Sequence, residues 1–90
     1  MDLAYFLDFD LCVLAAGEAA YARYSAAIRR EYIHLPYDLY LRGRLAVLRS
    51  FAQRESLYFT RAFREQHEAR ARFNLRKEME RIQQAPELQQ

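Results

Sequence analysis

Apolar residues recur along this chain every three or four positions, the spacing of one helix face, and strand-like alternation is scarce. Leu3, Leu7, Leu11 and Leu14 form the first stripe. They predict a helix over 3–15, ended by Gly17 as a residue tolerant of positive φ. Tyr21, Tyr24, Ile28 and Tyr32 predict a second helix over 18–32. Arg29 and Arg30 stand toward its C-terminus, where cations interact well with the helix dipole. Ile33-His34-Leu35-Pro36 breaks that helix, because the residue before proline avoids the α region. Pro36 or Asp38 opens a third helix reaching about residue 54. Tyr40, Leu41, Leu45, Val47, Leu48 and Phe51 make its apolar side. Gly43 lies inside it at a cost of roughly 1 kcal/mol relative to Ala, which fits another helix crossing closely there. After a connector over 56–60, Thr60 is a good N-cap for a last helix over 61–84, about 36 Å long. Its apolar positions, Phe63, Ala71, Leu75, Met79 and Ile82, recur mostly every four residues, so the buried face drifts around the helix. Pro86 ends order and residues 85–90 are expected to fray. The expectation is an all-α fold of about four helices, a single helical domain over 1–84 with a long C-terminal helix.

Composition narrows this picture without redirecting it. Ninety residues make one domain, and 52% apolar and 14% aromatic residues suffice for a core. Two Gly and two Pro argue against a β-rich or disordered chain. The single Cys12 excludes an internal disulfide and suits a reducing compartment. No stretch reaches ~18 uncharged apolar residues, so no membrane span is expected. With no basic N-terminal region either, a cytoplasmic location is the default. Residues 1–22 hold four acids and no base, a charge of −4; residues 23–90 hold fourteen bases and eight acids, +6. Thirteen of the bases are Arg, alternating with Glu and Gln as on a solvated helix face, which disfavours nucleic acid as a partner.

The candidate chemistry is sparse. Phe6-Leu7-Asp8-Phe9-Asp10-Leu11 sets two carboxylates in an apolar run. On a helix Asp10 falls about 40° from the centre of the leucine stripe and Asp8 about 120° away, so Asp10 is expected to face the core. A bare charge there is costly unless paired, hydrogen-bonded or metal-bound. Either Asp10 pairs with an arginine from another helix or it belongs to a site. Three tyrosines in the second stripe put hydroxyls at a wet core edge or along a pocket. His34 reads as a surface or capping residue and His67 as a core-edge histidine. There is no Gly-rich phosphate loop and no zinc spacing of Cys and His.

Five motifs occur in one order: Phe6-Leu7-Asp8-Phe9-Asp10-Leu11 with Leu14; Tyr21-x-x-Tyr24 with Ile28-Arg29-x-Glu31-Tyr32; Tyr40-x-x-Gly43-Arg44-x-x-Val47-Leu48-x-x-Phe51; Leu57-Tyr58-x-Thr60; and Glu68-x-x-Ala71-Arg72-x-Asn74-Leu75-x-x-Glu78. Over roughly residues 3–80 this order resembles the C-terminal half of the metal-dependent phosphohydrolases of the HD superfamily. The resemblance implies a partial HD-like helical bundle and a divalent metal ion held by a histidine, a His-Asp pair and a later Asp. The later Asp corresponds to Asp10, with Asp8 as its outer partner or a cap. Arg29, Arg44 and Arg72 become candidates to face a phosphate, since a guanidinium fork binds phosphate oxygens bidentately. The family's His and His-Asp pair lie upstream of this motif, and Met1 stands just before it. His34 precedes Leu35 and His67 precedes Glu68, so neither recreates the pair; Ala15 stands where the family often has glycine. The chain alone is therefore expected to be inactive. It would act with an upstream HD-bearing segment on a phosphorylated small molecule, or serve as a non-enzymatic helical module that associates with itself or a partner.

Overall fold

The computed structural model describes residues 3–89. The fold is all-α: α1 (Leu3–Asp10), a 3-10 turn (Cys12–Ala15), α2 (Glu18–Glu31), α3 (Tyr37–Ala52), α4 (Arg61–Gln83) and a closing 3-10 turn (Pro86–Leu88). Twenty-three residues make α4 about 35 Å long. It serves as the spine of a body 44 Å long and 22 Å across. Thr60 caps it as expected, its hydroxyl accepting from the Phe63 N–H at 3.3 Å.

The core runs along α4, where Ala71, Leu75 and Ile82 meet Leu41, Leu45 and Leu48 of α3, with Leu14, Tyr21, Leu57 and Tyr58 closing it. Two polar residues share the buried face of α4. Asn74 donates to the carbonyls of Leu14 and Ala16, each at 2.9 Å, and Glu78 gathers donors from α2 and α3. These bonds explain why the first helix stops at Asp10 rather than near Ala15. Past Leu11 the chain tightens into 3-10 geometry, which drops Leu14 into the core. Tyr58 donates to the Leu11 carbonyl at 3.0 Å, and with Asn74 it satisfies carbonyls near the break.

Several expectations are corrected. Gly17 has φ of −62°, so it uses no left-handed conformation; it is the N-cap of α2. Among the described residues no helix crosses closely at Gly43, where an added Cβ would meet nothing within 4 Å. Val47 is exposed, and its place on the buried side of α3 goes to Arg44. The tyrosine stripe of α2 leaves the core gradually, from buried Tyr21 through half-buried Tyr24 to exposed Tyr32. Residues 86–88 turn back instead of fraying, and Leu88 packs against the core. Among the described residues no helix is long and apolar enough to cross a membrane.

Candidate functional site

The two N-terminal carboxylates are reversed relative to expectation. Asp8 is fully buried and Asp10 is exposed. What α1 meets is the start of α4, not an apolar wall. Asp8 Oδ1 accepts from the Phe59 N–H at 2.6 Å, and Oδ2 accepts from the Thr60 N–H and hydroxyl, each at 2.7 Å. Unsatisfied N–H groups and the positive end of the helix dipole make such an end a favourable seat for an anion. Burial alone would raise the Asp8 pKa. The donors from Phe59 and Thr60, with the charge of Arg64, outweigh it and hold the carboxyl below its ordinary value. Anchoring Asp8 turns the apolar residues of α1 outward: Leu3, Phe6 and Phe9 are 69%, 55% and 73% exposed.

Asp10 lines an open cleft between α1 and the C-terminal end of α3, with Leu7, Phe51, Arg54, Glu55 and Phe59. Among the described residues Arg54 is the cation that lines this cleft. Its guanidinium lies 5.4 Å from the Phe59 ring centre and 5.9 Å from that of Phe51, and it donates to the Leu57 carbonyl at 3.2 Å. Nothing in the sequence marks this residue, because position 54 falls in the last turn expected for α3 and carries no motif of its own.

The three arginines singled out by motif do not converge on Asp10. Arg44 is buried and paired with Glu78, Nε to Oε2 at 2.8 Å and Nη2 to Oε1 at 3.0 Å. Tyr21 donates to the same carboxylate at 2.6 Å and Ser25 at 3.3 Å. Burial opposes the charge of Glu78; Arg44, Tyr21 and Ser25 more than offset it and lower its pKa. Burial, with the charged Glu78 beside it, drives the Tyr21 hydroxyl pKa far up, so it remains a donor. Arg72 bonds Glu68 at 2.7 Å and the carbonyls of Ala52 and Arg54 at 3.1 and 2.7 Å, closing the C-terminal end of α3. Arg29 donates to the carbonyls of Tyr32 and Leu35 and lies 5.0 Å from the ring centres of Tyr37 and Tyr40. A hint of the Glu78 centre was present in the sequence: Asn74 and Glu78 fall within the row of Ala71, Leu75 and Ile82, where a polar residue must find a buried partner.

His67 packs against Tyr58 and Phe63, and His34 lies beside Tyr32. Among the described residues no group of three or more His, Cys, Asp or Glu side chains comes together in a way that holds a metal ion. Compared with known proteins, the chain matches no family model, no curated protein and no solved structure.

Proposed function

We propose that this chain supplies one part of an HD-type metal-dependent phosphohydrolase site, with α1 as its docking face and Asp10 as the single metal ligand it contributes. One observation carries the reading: Asp10 is exposed on a helix whose Leu3, Phe6 and Phe9 are exposed too. Contiguous exposed apolar surface of this kind marks a contact. The order of the five motifs supports the same reading. A complementary helical segment bearing a histidine and a His-Asp pair covers α1 and completes the ligand set for a divalent metal. Arg54, in the cleft with Asp10, is the cation best situated for a substrate phosphate. Asp8 anchors the helix from below. One carboxylate does not retain a transition metal against water, because affinity rests on the number and type of ligands. The chain alone is therefore inactive in this reading.

The test pairs the 90-residue chain with the polypeptide encoded directly upstream of the Met1 codon. Both preparations are assayed with manganese, cobalt, nickel or magnesium on nucleotides and a generic phosphate ester. Turnover is expected only in the combination and is lost in Asp10→Asn. Turnover by the chain alone, or an inert combination, refutes the proposal.

A second reading is a non-enzymatic module that self-associates through the same face. Tyr5, Phe6, Phe9 and Phe63 form a wholly apolar hollow that favours it. Sedimentation then shows a dimer or larger assembly at micromolar concentration, dispersed by Phe9→Asp; a strict monomer across that range eliminates it.

A further inference from the structure

A second concave site lies at the opposite end of α3 from Asp10. A cavity of ≈ 260 Å³ is lined by Arg29 of α2, Tyr37 and Tyr40 of α3, and Arg44's partner Glu78 with Arg81 of α4. Arg44 also lines it, so three cations face one acid. Arg44 and Glu78 neutralise each other through their two-pronged pairing. Two guanidinium charges are left over, Arg29 and Arg81. Among the described residues neither forms an ion pair with a carboxylate.

Arg29 is pre-positioned. Its Nη1 is tied to the carbonyls of Tyr32 and Leu35, each at 3.3 Å, and its plane is held against Tyr37 and Tyr40. A guanidinium carries five N–H donors, so most of its donor capacity remains unspent. Tyr40 adds a neutral donor. Its ring is buried, 9% exposed, while its hydroxyl, with no hydrogen-bond partner among the described residues, is open to solvent in the cavity and free to donate. The charges that act on this hydroxyl, Arg44, Glu78 and Arg29, all line the same cavity.

We propose that this cavity binds the phosphate group of a small phosphorylated molecule, with Arg29 and Arg81 as charged donors and the Tyr40 hydroxyl as a neutral one. The surplus of two positive charges matches a phosphate dianion better than a carboxylate. Two forks and a hydroxyl also offer more donors than two carboxylate oxygens accept in plane. Tyr37 and Phe51, which mark the two sites on α3, are 14 residues apart, about 21 Å. A phosphate held at Arg29 is therefore out of reach of Asp10, and the inference stands independently of what covers α1.

The test is a ¹H–¹⁵N titration of the full chain with inorganic phosphate at low ionic strength, with acetate in parallel and chloride as reference. Saturable shifts are expected at Ser25, Tyr40 and Arg81, with acetate binding more weakly. Arg81 is exposed and Tyr40→Phe keeps the ring, so neither Arg81→Gln nor Tyr40→Phe disturbs the core. A thermal melt of each variant checks this. Arg81→Gln should weaken phosphate binding about tenfold, the loss of one charge-assisted bond, and Tyr40→Phe a few-fold. No saturation, unchanged affinity in Arg81→Gln, or acetate binding as tightly as phosphate overturns the proposal.

Discussion

Asp8 and Glu78 are both buried carboxylates, and they are held in different ways. Glu78 sits at the junction of α2, α3 and α4 and faces a buried cation, Arg44, with Tyr21 and Ser25 filling the remaining acceptor sites. Among the described residues no cation lies within hydrogen-bond reach of Asp8; two backbone N–H groups and one hydroxyl hold it at the head of α4. The first arrangement joins three helices through charge. The second attaches one short helix through the amides of another helix's end. Loss of Glu78 therefore strands a charge in the centre of the fold, whereas loss of Asp8 detaches an edge.

The largest effect expected follows from that contrast. Glu78→Ala leaves the Arg44 guanidinium, 6% exposed, without its counter-charge. Breaking one side of a buried pair costs about 3–5 kcal/mol, a large share of the stability of a domain this small. Urea denaturation should show a much lower midpoint or an unfolded chain. A midpoint close to the parent's would mean that water reaches Arg44 and that the junction is not dry.

Asp8→Ala should cost less, about 2–3 kcal/mol, because the freed N–H groups of Phe59 and Thr60 gain access to water once α1 lifts. The damage should also be local. Amide exchange is expected to accelerate over α1 and at residues 59–60 while the centres of α3 and α4 keep their protection. Uniform acceleration would show that α1 is as integral to the fold as the Glu78 junction.

Acid should attack both anchors. The folded pKa values of Asp8 and Glu78 lie below their ordinary values of 3.8 and 4.5. The unfolded chain therefore takes up protons first as pH falls. The stabilisation is complete above those ordinary values and is lost as pH descends through the lowered folded values. Melting temperature should stay level down to about pH 5 and fall steadily below it, and the slope should be shallower in Asp8→Ala. A level profile through pH 3 would contradict the assignment.

The smallest effect separates neither region but tests the helix between them. Gly43→Ala should stabilise by roughly 0.5–1 kcal/mol, since open space surrounds the new methyl and α3 gains helix propensity. A loss of stability would indicate a neighbour that the fold of one chain does not contain.

The number, order and approximate bounds of the helices were legible in the sequence, because three- and four-residue apolar spacing, Pro36, the Thr60 cap and the Pro86 stop act within a few residues of where they stand. The core leucines of α3 followed from the same local geometry, whereas the buried face of α4 runs straight instead of drifting, because Asn74 and Glu78 complete the row of Ala71, Leu75 and Ile82. Which carboxylate of the first helix turns inward did not follow from it. Stripe geometry favours Asp10, but the choice depends on Phe59 and Thr60, some fifty residues away, whose free N–H groups form the seat Asp8 occupies. Arg44 likewise reads as an open cation until Glu78, thirty-four positions on, is brought against it. The shortening of α1 belongs with these, since Tyr58 and Asn74 take up carbonyls near its break. Backbone preference is set by neighbours in sequence; the partner of a buried charge is set by whichever element the fold carries to it, and only tertiary structure decides that.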